Sequence, residues 1–134
     1  MTLTVKVIAP DQTIVDTVAE EVILPSSSGQ LGILTGHAPL ISALETGVLR
    51  FRKDKAWAAI ALTGGFAEVE ENEVTVLVRS GELGSTINAD EARKKLEEAE
   101  QALAGIKAED KQGKIQAEQS LSLARARLQA TTAI

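Results

Sequence analysis

The chain has 134 residues, 44% of them hydrophobic and only 2% aromatic, and a formal net charge of −5. That length suits one domain or a small domain with an appendage, with a core built on Val, Ile, Leu and Ala. The acidic balance argues against nucleic acid as main partner, and the lack of cysteine excludes disulfides, thiol chemistry and cysteine-held zinc.

Residues 1–86 read as strands. Leu3, Val5 and Val7 alternate with Thr4, Lys6 and Ile8 until Pro10-Asp11 breaks the run. Thr13 to Val18 and Glu20 to Leu24 follow, the second closed by Pro25 and three serines. Next comes Gly29-Gln30-Leu31-Gly32-Ile33-Leu34-Thr35-Gly36-His37-Ala38-Pro39-Leu40, read as a short strand running into a tightly shaped loop. Gly29, Gly32 and Gly36 are expected to supply positive φ or close approach, and Pro39 bars a central strand or helix interior. No Gly-Lys-Ser/Thr follows, so this is not a phosphate loop.

Further strands are expected at Ile41 to Leu44, Val48 to Arg52, Ala56 to Leu62, Phe66 to Glu70 and Val74 to Arg79. Lys53-Asp54 and Glu71-Asn72-Glu73 fit turns, Asn72 being tolerant of left-handed backbone. Short strands at this spacing predict a β-sandwich or flattened barrel. Ala58, Ala59 and Ala61 would let facing strands or sheets approach closely, and Trp57 is read as core or edge packing.

Composition changes at Ile87-Asn88. Beyond it there are no aromatics or prolines. Asn88 fits an N-cap, with Glu91 completing a capping box. Ala92, Leu96, Ala99, Leu103 and Ile106 form a heptad seam, and Glu91 and Lys95 form a favourable i, i+4 pair. Gly105 and Gly113 bound a charged connection, Lys107 to Gln112. A second helix runs to about Ala130 with Ala117, Leu121, Ala124 and Leu128 on its seam. The short loop makes the pair antiparallel. The expected architecture is an N-terminal β-sandwich over residues 1–87 and a C-terminal antiparallel two-helix hairpin over 88–134.

No enzyme is visible in these residues. His37, the one histidine, has no cysteine to activate and no serine in a Gly-x-Ser-x-Gly elbow, and one histidine does not make a zinc site. Glu68, Glu70, Glu71 and Glu73 cluster near a turn, where they suit water better than acid–base work. Residues 113–134 hold one acidic and three basic side chains, Lys114, Arg125 and Arg127. A solvated helix face explains so small an excess.

The segment Gly29 to Leu40, with Gly47-Val48-Leu49-Arg50, Gly64-Gly65-Phe66-Ala67 and Asn72-x-Val74-Thr75-Val76-Leu77, resembles the ε subunit of F-type ATP synthases, in order and nearly end to end. Met1-Thr2-Leu3, Ser28-Gly29-Gln30 and Glu82-Leu83-Gly84-Ser85 look most like its cyanobacterial and chloroplast branch. The resemblance implies a non-catalytic rotor subunit that couples proton-driven rotation to ATP synthesis and inhibits ATP hydrolysis through its C-terminal helices. It implies a c-ring contact at Ser28, Gly29, Gln30, Leu31 and Gly32, and a γ contact at His37, Ala38, Pro39 and Leu40. Lys114, Arg125 and Arg127 would face the catalytic β subunit and its α neighbour. No cofactor is implied. Some bacterial members bind ATP through Ile/Leu-Asp-x-x-Arg-Ala. Here Ile87-Asn88-Ala89-Asp90-Glu91-Ala92 replaces the acid with Asn and the cation with Glu91. Glu82 matches a family position but cannot restore the site alone, so ATP binding is expected to be weak or absent.

Without a leader pattern or an apolar run near the roughly 20 residues of a membrane helix, a peripheral location on the cytoplasmic or stromal face of an energy-transducing membrane, the thylakoid, is expected. The alternative is a free-standing β-sandwich ligand-binding module with a coiled-coil oligomerisation tail, which would normally show an aromatic platform. A helical-hairpin chaperone would need longer, less charged helices.

Overall fold

A computed structural model describes residues 1–132; residues 133–134, the end of the expected helical segment, lie outside the described residues. The strands are β1 (Leu3–Ala9), β2 (Gln12–Ala19), β3 (Glu21–Ser26), β4 (Gly29–Leu34), β5 (Leu40–Leu44), β6 (Gly47–Lys53), β7 (Ala56–Glu70) and β8 (Glu73–Leu83). A 3-10 turn, Gly84–Thr86, leads to α1 (Ala89–Ala104) and α2 (Lys111–Ala130). Hydrogen bonding runs β2-β1-β8-β7-β5-β3-β4, and β6 bridges β3 and β7, closing a flattened barrel. Every strand pair is antiparallel except β1 with β8.

Alternation puts Leu3, Val5 and Val7 of β1 and Val74, Val76 and Val78 of β8 into one core with Val22, Leu24, Ile33, Leu49, Ile60 and Leu62. Both two-residue turns have left-handed backbone at both positions: Asp54 and Lys55 at φ 51° and 68°, Glu71 and Asn72 at 47° and 63°. That is the turn geometry whose twist matches the flanking strands. The first turn sits one residue later than Lys53-Asp54, because Lys53 still pairs with Ala56. Likewise β3 runs on through Pro25, which pairs with Gln30 at the end of the hairpin; the proline does not close it.

The two expected strands Ala56 to Leu62 and Phe66 to Glu70 are one, β7. Ile60 and Leu62 point into the core before Gly64, and Ala67 and Val69 after it, so the inward parity changes from even to odd. Its partner changes with it: Leu62 pairs with Gly81, but Gly65 pairs with Val78. Gly64, at φ 31°, lets both strands turn this corner together. A broken alternation in the sequence therefore marks a bend, not a gap.

Residues 59–62 are all buried. Ile60 and Leu62 face the sandwich core, whereas Ala59 and Ala61 pack in a second cluster with Val48, Ile87, Ala92, Ala126 and Ala130. The small residues thus admit a helix onto the outside of the sheet, not a facing sheet. Trp57 is half-buried opposite Arg52, whose guanidinium carbon lies 5.8 Å from the ring centre.

The helices pack on each other along the expected seam, where Leu96, Ala99 and Leu103 are partly covered. Asn88 caps α1 by accepting from the Glu91 amide at 3.0 Å. Glu91's carboxylate turns to Lys95 at 3.1 Å, so only one half of the capping box is present. Helix α2 starts at Lys111, capped by Asp110, which accepts from the Gly113 amide at 3.0 Å. Gly113 is therefore in the first turn of the helix, and the connection ends earlier than its charge pattern implied.

Candidate functional site

The first candidate surface is the β3–β4 hairpin. Ser26, a buried polar side chain, is its hub. Its hydroxyl accepts from Ser42 at 3.2 Å and from the Ser28 amide at 3.3 Å, and lies 3.2 Å from the Ser28 hydroxyl. Gly29, at φ 120°, makes the turn. Ser28, Gly29, Gln30 and Gly32 are exposed and Leu31 is half-buried. Gly32 has neither positive φ nor any atom within 4 Å of where a Cβ would stand. Its expected close approach does not occur among the described residues, and the strand is open to the outside there.

The second is the loop between β4 and β5. Gly36, at φ 85°, donates its amide to the Asn72 side-chain oxygen at 2.7 Å, while the Asn72 carbonyl accepts from the Thr4 amide at 2.8 Å. One turn residue thus ties the loop to β1. His37 Nδ1 lies 2.7 Å from the Ala38 carbonyl oxygen, a contact that shapes the loop and activates nothing. Ala38 and Pro39 are exposed, and His37 and Leu40 half-buried. Both surfaces border β3 and β5, which meet at Ser26 and Leu44.

A third surface escaped sequence reasoning. Ile41 is 75% exposed, Phe66 61% and Leu77 52%. Phe66 pairs with Ala43 and with Leu77, and Leu77 with Ile8. Ile41 is two residues from Ala43 and so on the same face. The result is an apolar row on the outside of the sheet beside the His37 loop. The signal was available: Val74-Thr75-Val76-Leu77-Val78 is too apolar for a strand with one wet face.

The helices carry the fourth group, and the structure separates its members. Lys114 and Arg125 are exposed, eleven residues or about 16 Å apart along α2. Arg127 is about 200° around the helix from Arg125 and faces the sandwich. Its Nε and Nη2 donate to the two carboxylate oxygens of Glu82 at 2.9 and 3.3 Å. The three bases therefore form no single patch here. Lys95 holds the Glu91 carboxyl below its usual pKa by hydrogen bond and charge, and the Arg127 charge adds to this. Glu82, Lys95, Glu98 and Arg127 rim a groove of about 590 Å³ between β8 and the helices.

Comparison with known proteins agrees with this architecture. The model of the family "ATP synthase, Delta/Epsilon chain, beta-sandwich domain" matches residues 2–84, and that of the "long alpha-helix domain" residues 85–132. The ATP synthase epsilon chain of Synechococcus elongatus is 63% identical over 97% of this chain and 95% of its own. That of Nostoc punctiforme is 60% identical over 97% and 96%. A chain of the Euglena gracilis mitochondrial ATP synthase (OSCP/F1/c-ring, rotational state 1) has the same fold, with a TM-score of 0.82 at 21% identity over 98% of this chain and 82% of that one. With both family models matched in order and relatives at about 60% identity over nearly its whole length, the chain belongs to the ATP synthase delta/epsilon family, as an epsilon chain of cyanobacterial type.

Proposed function

We propose that the sandwich docks this non-catalytic subunit onto the rotor and that the helical hairpin restrains ATP hydrolysis. The apolar row Ile8, Leu77, Phe66 and Ile41 carries this reading. Three exposed large apolar side chains in one row, Ile41, Phe66 and Leu77, suit a partner interface. It continues into His37, Ala38, Pro39 and Leu40, so we assign the γ subunit to the row and loop together. The c-ring falls to Ser28, Gly29, Gln30, Leu31 and Gly32, where the open space at Gly29 and Gly32 leaves room for a partner backbone. A central-stalk location is supported by the Tetrahymena thermophila mitochondrial ATP synthase central stalk/c-ring structure, one chain of which shares the fold with a TM-score of 0.61 at 16% identity over 98% of both chains. Residues 1–87 form the docking domain and 88–134 the regulatory hairpin, with Lys114, Arg125 and Arg127 reaching the catalytic β and α subunits when the hairpin extends. The subunit works peripherally at an energy-transducing membrane, the thylakoid, held by its partners. No described helix is long and apolar enough to cross a membrane.

The test uses a catalytic head stripped of this subunit, to which the full chain or a fragment ending at Ile87 is added. The fragment keeps the whole main core, which lies within residues 3–78. Both are expected to bind γ, and only the full chain to suppress ATPase activity. Equal suppression by both removes the role assigned to the basic residues. Failure of both to bind γ removes the docking assignment.

ATP binding is proposed to be weak or absent, because Glu82 already holds Arg127 and Glu91 adds a second carboxylate nearby. Titration of the isolated chain with ATP should show no saturation in the micromolar range. Micromolar saturation would reverse this.

A further inference from the structure

We propose that Gly84 and the Glu82–Arg127 ion pair form a latch that holds α2 on the sandwich and withholds Arg127 from any other partner. This rests on the reading above that the hairpin leaves the sandwich to act.

The attachment of α2 is confined to its last turns. Beneath it runs a row across three strands, in which Val48 pairs with Ala61 and Ala61 with Glu82. Ala126 and Ala130 rest on this row, with Leu128 at its margin. The buried residues of α2 in this contact are alanines, which bury little apolar area each, so the apolar hold is shallow. The earlier part of α2 lies over a groove of about 430 Å³ lined by Leu123 and by the polar Thr46, Thr63, Arg79, Gln119 and Ser120. That stretch adds little to the hold.

Gly84 makes the close approach possible. A Cβ there would fall inside the contact shell of the Ala130 carbonyl oxygen, 2.7 Å from that carbonyl carbon and 3.2 Å from the Ala59 oxygen. These are backbone atoms and cannot rotate aside. Gly84 does not have positive φ, so its backbone conformation is open to alanine. A methyl group at this position therefore opposes chiefly the docked arrangement, since the Ala130 contacts vanish when α2 leaves and only the milder 3.2 Å approach to the Ala59 oxygen of β7 remains. Two residues upstream, at the end of β8, Glu82 holds the same turn of α2 through Arg127. Arg127's side chain is 17% exposed and Glu82's 46%, so the pair is partly screened by salt.

Amide hydrogen exchange on the isolated full chain tests this with wild type, Gly84→Ala and Glu82→Gln. A short helix released from its support loses protection. Amides 124–130 are expected to exchange about tenfold faster in Gly84→Ala and roughly threefold faster in Glu82→Gln, with β1, β3 and β7 unchanged. Salt at about 0.5 M should bring wild type to the Glu82→Gln rate and leave that variant unmoved. Wild-type protection in Gly84→Ala, equal loss of protection in the sandwich strands, or salt-insensitive wild-type exchange would each overturn the latch. A second arm adds the variants to the stripped catalytic head. Faster exchange with stronger suppression of hydrolysis supports both readings. Faster exchange with unchanged suppression keeps the latch and removes the inhibitory role of the hairpin.

Discussion

Ile60→Ala is expected to destabilise the sandwich by about 3 kcal/mol. Ile60 is fully buried in the middle of β7, pairing with Leu49 on β6 and Leu83 on β8. Its side chain points into the one core that both layers share, among Leu24, Ile33, Leu49 and Leu62. Truncation removes buried apolar surface and leaves a cavity, because paired strands on either side prevent collapse. For a chain of this size the melting temperature should fall by about 10 °C. A fall below about 3 °C would show that the neighbouring side chains refill the space.

Ala61→Leu, one residue along, is expected to act on the other face. Ala61 is 2% exposed and packs beneath α2 with Ala126 and Ala130. The added carbons have no cavity to enter, and overpacking costs about 1–3 kcal/mol. The alanine contacts that hold the helix are worth little more, at about 0.8 kcal/mol per buried methylene equivalent. The cost therefore falls on docking and not on the sandwich. Trypsin cleavage after Arg125 and Arg127 should accelerate about tenfold, while the melting temperature of the strands changes far less than in Ile60→Ala. Wild-type resistance to trypsin would mean that α2 shifts without leaving. Simultaneous loss of the strands would mean that helix and sandwich form one cooperative unit.

Neighbouring residues with such different expected outcomes show where sequence reasoning works and where it stops. Burial of Ile60 follows from its size and its apolar strand, although residues 56–62 carry no polar alternation to name its face. The covering of Ala61 does not, because alanine is as common beside a helix as between sheets. Asn88 as a cap, the Leu96 and Leu103 seam, and the turns at Asp54 and Asn72 were all legible, since each depends on residues within a turn or two of chain. Lys114, Arg125 and Arg127 could be named from sequence as a basic group, but not sorted. Only the angular position of Arg127 on α2, and the arrival of β8 beneath it, give that arginine a carboxylate 45 residues away.

The amino-acid sequence by itself determined the division into strands and helices, the caps and turns, and the apolar side of each element. Those properties rest on local backbone preference and side-chain period. Tertiary structure alone decided the joining of residues 56–70 into one bent strand, the meeting of Ile41, Phe66, Leu77 and Ile8 in one row and the pairing of Glu82 with Arg127. Each requires chain segments far apart in sequence to meet at one register, and the free energy that selects the register comes from burial across strands, not from any one segment.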